Sequence, residues 1–201
     1  MTMTAPDPAP ARSGLTAPVV IGLDTSLTAT GIASSRGWCE VIGYKKRSKD
    51  PGITQLPHPQ RITAMRTLVK DVTTAIGTPN LVVIELPAPS RSGGGAHERG
   101  WFWWQLYNHL NQREIPIGLM TPNHRMQYAT GKGAATKNLI VDAVARRFPD
   151  WPTAGDDNAA DAVVLMAAGR DWLGAPITDM PKTHRAALDK ATWPTLPGAT
   201  R

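Results

Sequence analysis

Three acidic residues, Asp24, Glu85 and Asp161, occupy positions at which a folded chain could hold a divalent metal ion. Asp24 follows directly after an apolar run, residues 19–23, and Glu85 lies near the end of a similar run. Asp157 and Asp161 lie four positions apart in a segment of small residues, a spacing that places them on one face of a helix. Carboxylate oxygens are the ligands that Mg²⁺ and Mn²⁺ prefer in proteins. The pattern therefore indicates a metal site made of Asp24, Glu85 and Asp161, with Asp157 beside it.

Each of these acids also has an ordinary structural explanation. Asp24 could cap a turn, and Asp157, like Asp156, could cap the N-terminus of a helix. Glu85 could lie on a solvated edge or pair with an arginine. A carboxylate inside an apolar strand is costly unless it is paired or binds metal, which favours a functional role for Glu85. Asp161 lies beyond the capping positions, among alanines that would let its helix lie close to a sheet.

Basic residues form a second group, suited to contacts with phosphate. In the segment T-G-K-G-A-A-T-K, residues 130–137, a tight turn presents Lys132 and a helix begins just after it. Exposed backbone N–H groups and helix N-termini both attract phosphate oxygens, although an ordinary turn would look the same. Arg91 and Arg99 flank three glycines in a loop that could close over a substrate or serve only as a connector. The basic residues expected to contact a phosphate-bearing partner are Lys137, Lys132, Arg125, Arg91 and Arg99.

The overall composition favours an anionic partner and excludes several classes of protein. The 201 residues include 22 Lys and Arg against 16 Asp and Glu, a formal net charge of +6, and this balance suits a polyanion. The single cysteine, Cys39, excludes an intramolecular disulfide framework and a cysteine-based zinc site. No apolar run approaches the ~20 residues of a membrane span, and the N-terminus lacks the features of a signal peptide. We therefore expect a soluble protein in a reducing compartment.

Hydrophobic patterning predicts the elements that must position these side chains. Residues 19–24, 31–35 and 38–44 are predicted to form three antiparallel strands, and residues 81–86 and 115–120 two more buried strands. Helices are predicted over 57–76, 101–113, 135–148 and 156–169, and a short one is opened by Pro122 with Thr121 as its cap. If the first and fourth strands are neighbours, Asp24 and Glu85 meet at one edge of the sheet.

The order of these motifs resembles that of the RuvC-type Holliday-junction resolvases, within the ribonuclease H-like superfamily and most similar to their phage or prophage branch. The matching segments are G-L-D-T-S-L-T-A-T-G (22–31), V-V-I-E-L (82–86), T-G-K-G-A-A-T-K (130–137) and D-D-N-A-A-D-A (156–162). The resemblance covers roughly residues 18–173. Each segment alone is a weak signal, and four of them in the family's order are fairly specific.

The resemblance implies an α/β fold in which three antiparallel strands and then parallel β/α units form a five-stranded mixed sheet flanked by helices. It implies a homodimer that binds a four-way DNA junction and makes paired nicks with two Mg²⁺ or Mn²⁺ ions per site, without a nucleotide cofactor. Residue by residue, Asp24 matches the first acid of the family, Glu85 the second and Asp161 the last. Lys137 matches a basic residue that contacts DNA near the scissile phosphate.

Three positions depart from the family pattern. The family usually has an acid or His three residues before the last Asp, and this chain has Asn158 there. An amide oxygen is a weaker, neutral ligand, and we favour Asp157 over Asn158 as the residue that completes the site. Met126 stands where a second lysine is expected, and Arg125 is expected to replace its charge. The Gly-rich loop over 91–100 also differs, which leaves the sequence preference open.

The expected organisation is a disordered Ala/Pro-rich tail over 1–17, a nuclease domain over 18–173, and a loosely packed or disordered Pro-rich tail over 174–201.

Two other functions remain open. A phosphotransferase of the actin-like ATPase type is suggested by D-T-S-L-T-A-T-G, but 201 residues accommodate only one of the two cores such enzymes need. A non-catalytic junction-binding protein is suggested by Asn158. A resolvase of this kind would work in the cytoplasm of a bacterium or of a phage-infected host.

Overall fold

The computed structural model describes residues 17–46, 48–87 and 95–196. Within these residues, five strands form one mixed sheet in the order β3-β2-β1-β4-β5. They are β1 (Val20–Asp24), β2 (Thr30–Ser34), β3 (Trp38–Ile42), β4 (Leu81–Glu85) and β5 (Ile117–Met120). The strands β1, β2 and β3 pair in antiparallel fashion, whereas β4 runs parallel to both β1 and β5. The predicted architecture is therefore confirmed.

Helices cover both faces of this sheet. They are α1 (His58–Ile76), α2 (Ala96–Gln112), α3 (Pro122–Thr130), α4 (Lys137–Arg147), α5 (Asp157–Trp172) and α6 (Lys182–Arg185), with 3₁₀ turns at Ile53–Gln55 and Leu188–Lys190. The Oγ1 of Thr121 accepts a hydrogen bond from the backbone N–H of His124, as predicted for the cap of α3. Helix α2 begins five residues earlier than predicted, and α5 continues to Trp172. No helix in the described ranges is long and apolar enough to cross a membrane.

The apolar strands β1 and β4 are buried because each contributes alternate residues to two separate cores. Val20 and Leu81 face the core beneath α5, whereas Leu23 and Ile84 face the core formed with α1 and α2. The parallel register pairs Leu23 with Ile84. The next residue of each strand, Asp24 and Glu85, therefore lies at the same edge of the sheet, as the sequence predicted.

Glycines in the sheet let α5 lie unusually close to it. A Cβ built on Gly22 would lie 2.0 Å from the backbone O of Ala162, and one on Gly31 would lie 2.0 Å from the backbone O of Asn158. Any larger residue at either position would push the helix away. This close contact brings Asp161, near the start of α5, to the edge that carries the two strand acids.

The segment after α5 corrects the expectation of a loosely packed or disordered tail over 174–201. Leu119 of β5 exchanges backbone hydrogen bonds with Thr192, and Trp193 stacks on Trp172 with ring centroids 4.7 Å apart. Met180, Ala187 and Leu188 are buried. The packed unit therefore continues past residue 173 to Trp193. Residues 1–16 of the predicted N-terminal tail and residues 197–201 lie outside the described residues.

Candidate metal and nucleic-acid site

The site begins at the ends of the two central strands. Asp24 is half-buried, and the side chain of Glu85 is only 13% exposed. The indole Nε1 of Trp103 on α2 donates a hydrogen bond of 3.0 Å to the backbone O of Glu85. Sequence reasoning assigned Trp103 only to the core or an interface. In the structure it also fixes the end of the strand that carries the second acid.

The start of α5 separates its acids into different roles. The Oδ1 of Asp156 accepts hydrogen bonds from the backbone N–H groups of Asn158, at 2.8 Å, and Ala159, at 3.0 Å, which makes Asp156 the N-cap. The side-chain amide of Asn158 also donates to this oxygen, at 3.3 Å. Asp161 lies one turn further along, and its side chain is 13% exposed. The cap thus uses Asp156 and leaves Asp157 and Asp161 for other contacts.

Arg125 of α3 lies inside this group of acids. Its Nε donates a hydrogen bond to Oε2 of Glu85, and its Nη1 forms an ion pair with Oδ1 of Asp161. The residue is 6% exposed. We expected Arg125 to supply a positive charge at the surface for DNA. The structure instead places its guanidinium between two of the predicted metal ligands, so the pairing of Glu85 with an arginine, considered as its ordinary explanation, is present.

The pKa values of Asp24 and Glu85 indicate that the nearby positive charges do not fully offset the burial of these carboxyl groups. The pKa of Glu85 is raised to about 7, mainly by burial and also by the charge of Asp24, although Arg125 acts to lower it. Burial also raises the pKa of Asp24; the charges of Arg125 and Lys137 oppose this and that of Asp157 adds to it. These mutual effects join Asp24, Glu85 and Asp157 in one electrostatic group, to which Arg125 links Asp161. A buried carboxylate with a raised pKa gains stability from an added cation.

Asp157 is held by a different cation. Its Oδ2 accepts a hydrogen bond from Nζ of Lys137, the first residue of α4. This hydrogen bond lowers the pKa of the Asp157 carboxyl and raises the pKa of the Lys137 ammonium. The side chain of Lys137 is 78% exposed, so it lies at the rim of the site where a phosphate could reach it.

The donor set fits a hard divalent ion in its chemistry, although no three of its side chains stand together around one point. Among the described residues, no group of three or more His, Cys, Asp or Glu side chains stands close enough to hold a metal ion. The donors are carboxylate oxygens, which suit Mg²⁺ or Mn²⁺. The guanidinium of Arg125 is a positive charge that stands between two of them. The residues that would hold a metal are Asp24, Glu85, Asp161 and Asp157.

Two further residues predicted to contact DNA, Lys132 and Arg99, lie within the described residues. Lys132 is exposed in the turn that follows α3, and its backbone N–H donates to Oγ1 of Thr130 at 3.3 Å. Arg99 lines a cavity of about 370 Å³ together with Asp24, Glu85 and Trp103. Arg91 lies outside the described residues, as do the first two of the three glycines at 93–95.

A sheet of this order, with acids at the ends of β1 and β4 and a third on a close-packed helix, has the ribonuclease H-like fold. Within that class, the chain has the fold of the RuvC structures. It is similar to Thermus thermophilus RuvC in complex with a Holliday junction substrate, with a TM-score of 0.55 and 20% identity over 79% of this chain and 97% of that one. It is also similar to a second T. thermophilus RuvC structure, with a TM-score of 0.53 and 20% identity over 78% and 97% of the two chains. No protein-family model and no curated protein matches the sequence.

Proposed function

We propose that this protein is a metal-dependent endonuclease that resolves four-way or branched DNA junctions by paired phosphodiester hydrolysis. The observation that carries the proposal is that Glu85 and Asp161 share the buried guanidinium of Arg125, whose charge also acts on Asp24, on a fold shared with RuvC. A purely structural role explains poorly why three elements each deliver a carboxylate to one sheet edge, because burying charges is costly.

The residues take distinct roles in this proposal. Asp24, Glu85 and Asp161, with Asp157 as the fourth, are the ligands for two Mg²⁺ or Mn²⁺ ions. When bound, such ions activate the attacking water and stabilise the charge on the leaving 3′ oxygen. Lys137, at the exposed rim, holds a non-bridging oxygen of the scissile phosphate after it leaves Asp157.

The basic residues around the edge hold the DNA backbone. Lys132 lies in the exposed turn before α4, and Arg99 lines the cavity beside the acids. Contacts of this kind position the nucleic acid without reading its bases, which suits an enzyme that recognises the branched shape of its substrate. Arg91 is proposed as a further contact from the sequence alone.

We propose that the active form is a homodimer. A four-way junction resolved by paired nicks needs two cutting sites, and a two-fold dimer supplies them with matching symmetry. The mass of the protein in solution, measured by light scattering with and without a synthetic junction, tests this point. A monomer in both states would contradict it. Two further predictions come from the sequence alone: that the chain is most similar to the phage or prophage branch, and that it acts in the cytoplasm.

The central test is cleavage of a synthetic four-way junction by the purified protein with Mg²⁺ or Mn²⁺, against a linear duplex of the same sequence. We expect symmetric nicks in the junction only. Asp24→Asn should abolish cleavage while junction binding survives. Asp142→Asn is the matched control, because Asp142 is an exposed acid that pairs with Arg146 on α4, and it should cleave normally.

Two outcomes would contradict the proposal. Cleavage that persists in Asp24→Asn would remove the site assignment. Binding of the junction without cleavage under any divalent metal would favour a non-catalytic junction-binding protein, in which Arg125 is a permanent partner of the acids. Binding should also weaken steeply as salt rises, because phosphate contacts release counterions.

A further inference from the structure

Arg125 is the feature of the site that its proposed chemistry does not use. Its side chain is among the few charged groups buried in the described residues, and it contacts acids from two separate elements, β4 and α5. A guanidinium has five N–H donors in a planar fork, so one arginine can serve two carboxylates at once. Arginine is therefore suited to occupy the space that these acids surround.

The contacts of Arg125 are with the same carboxyl groups that the proposed function assigns to metal. Its Nε reaches Oε2 of Glu85, and its Nη1 reaches Oδ1 of Asp161. A divalent ion held by these two groups would lie against the guanidinium. Two cations at such close range repel each other strongly away from bulk water, so the guanidinium and the ion cannot both stay among the acids.

We propose that Arg125 is an internal counter-cation that competes with divalent metal for Glu85 and Asp161, so that metal loading requires its guanidinium to leave the cluster. The inference rests on the proposed function only in taking these acids as metal ligands. Without metal, Arg125 compensates the acids and lets the edge of the sheet fold around them. With metal, the ion replaces it.

The competition has a thermodynamic consequence. If the arrangement with Arg125 displaced is a minor state, the apparent metal affinity falls by the fraction of molecules in that state. Removing the guanidinium should therefore tighten metal binding. Linkage also requires that metal binding favours the displaced state by the same factor.

The test measures Mn²⁺ binding by titration calorimetry on the protein without DNA. Arg125→Met should bind Mn²⁺ at least about tenfold more tightly than the unchanged protein, equivalent to about 1.4 kcal/mol. The matched control is Arg185→Met, which removes an arginine from a buried acid outside the site, Asp171, and leaves Arg125 in place. It should tighten binding by less than about threefold. Equal changes in the two variants, or no tightening in Arg125→Met, would overturn the proposal.

A second measurement does not depend on the variant folding. In ¹⁵N-labelled unchanged protein without metal, the Nε–H signal of Arg125 should be protected from solvent exchange, because the group is buried and donates to Glu85. Saturation with Mg²⁺ should shift this signal and remove its protection. A signal that keeps its position and protection with Mg²⁺ bound would overturn the competition. Both measurements are made without DNA, so failure to cleave junctions would count against the proposed function and leave this inference standing.

Discussion

Two polar clusters join α3 to α5, and they differ in how their acids are compensated. Near the start of α5, Asp161 contacts Arg125, and the same guanidinium also contacts Glu85. Near the end of α5, Asp171 accepts a hydrogen bond of 3.1 Å from the hydroxyl of Tyr128, and its other oxygen lies 3.0 Å from Nη2 of Arg185. The same pair of helices therefore holds a buried acid at each end.

The two clusters differ in the balance between acidic and basic side chains. At the first cluster several acids influence one another, and burial raises the pKa of both Asp24 and Glu85 in spite of Arg125. At the second, a single acid has two partners and lies beneath residues 181–193, where Nδ1 of His184 also meets the backbone O of Tyr128 at 2.8 Å. A cluster in which acids outnumber the neighbouring cations indicates a site that binds a further cation. An acid held by side chains from two other elements indicates an anchor.

The largest expected effect of this difference is on cleavage. Asp161→Asn should lower junction cleavage on the order of 100- to 1,000-fold, because a neutral amide binds a divalent metal ion more weakly than a carboxylate does. Its free energy of unfolding without metal should change little, since the variant also relieves repulsion among the acids. Initial cleavage rates and urea unfolding in EDTA provide the two measurements. A large loss of stability would show that Asp161 is an anchor of the same kind as Asp171.

The next effect is the reverse, a loss of stability at the second cluster. Asp171→Ala leaves the hydroxyl of Tyr128 only the more distant backbone O of Ala167, at 3.4 Å, as an acceptor, and it removes a buried carboxylate from Arg185. We expect the free energy of unfolding to fall by about 2–3 kcal/mol, toward the low end for a broken pair because the side chain of Arg185 is 54% exposed.

The control for this variant is Asp142→Ala, which breaks the exposed pair with Arg146 and should cost less than about 1 kcal/mol. Urea unfolding in the same buffer compares the two. Below its unfolding transition, Asp171→Ala should still cleave junctions. Loss of cleavage in a folded Asp171→Ala protein would mean that the two ends of α5 are not separate in function.

The third effect is on the pH dependence of stability. The pKa of Glu85 is raised to about 7 in the folded protein from an ordinary value of 4.5, so the folded state holds a proton that the unfolded state has lost. The stabilisation from this proton is fully present below pH 4.5 and is lost as the pH rises to about 7.

Glu85→Gln stays neutral and isolates this contribution. In EDTA, the unfolding free energy of the unchanged protein should fall relative to that of Glu85→Gln by on the order of 1–2 kcal/mol between pH 5 and pH 8. Parallel pH profiles for the two proteins would show that Arg125 fully compensates Glu85. The first cluster would then resemble the second.

The sequence alone predicted the sheet and the proximity of Asp24 and Glu85. Residues 19–23 and 81–84 are apolar throughout, which predicts strands buried on both faces, and an acid at the end of each is conspicuous. Parallel pairing of Leu23 with Ile84 then brings Asp24 and Glu85 together. The glycines at 22 and 31 are consistent with the close packing of α5, but only the structure shows which helix packs against them.

The position of Arg125 could not be predicted in the same way. Arginine is almost always exposed unless it is paired, and the resemblance assigned its charge to DNA. Its burial depends on how α3 is rotated against α5, a tertiary property with no local pattern. The segment over 174–196 was misjudged for a similar reason. Its anchors, Met180, Leu188 and Trp193, are too sparse to form a period and are recognisable only by the surfaces that receive them.

The smallest effect concerns the exposed cations beside each cluster. Lys132 lies in the turn that leads from α3 toward Lys137, whereas Arg185 is held at Asp171. Lys132→Met should therefore lower the slope of log affinity against log salt for a junction by about 1, as expected for one lost phosphate contact. Arg185→Met should leave that slope unchanged. Fluorescence anisotropy over a salt series in EDTA measures both variants without cleavage. An equal loss of slope in Arg185→Met would show that DNA also runs over the second cluster, and that the anchor and the site share one binding face.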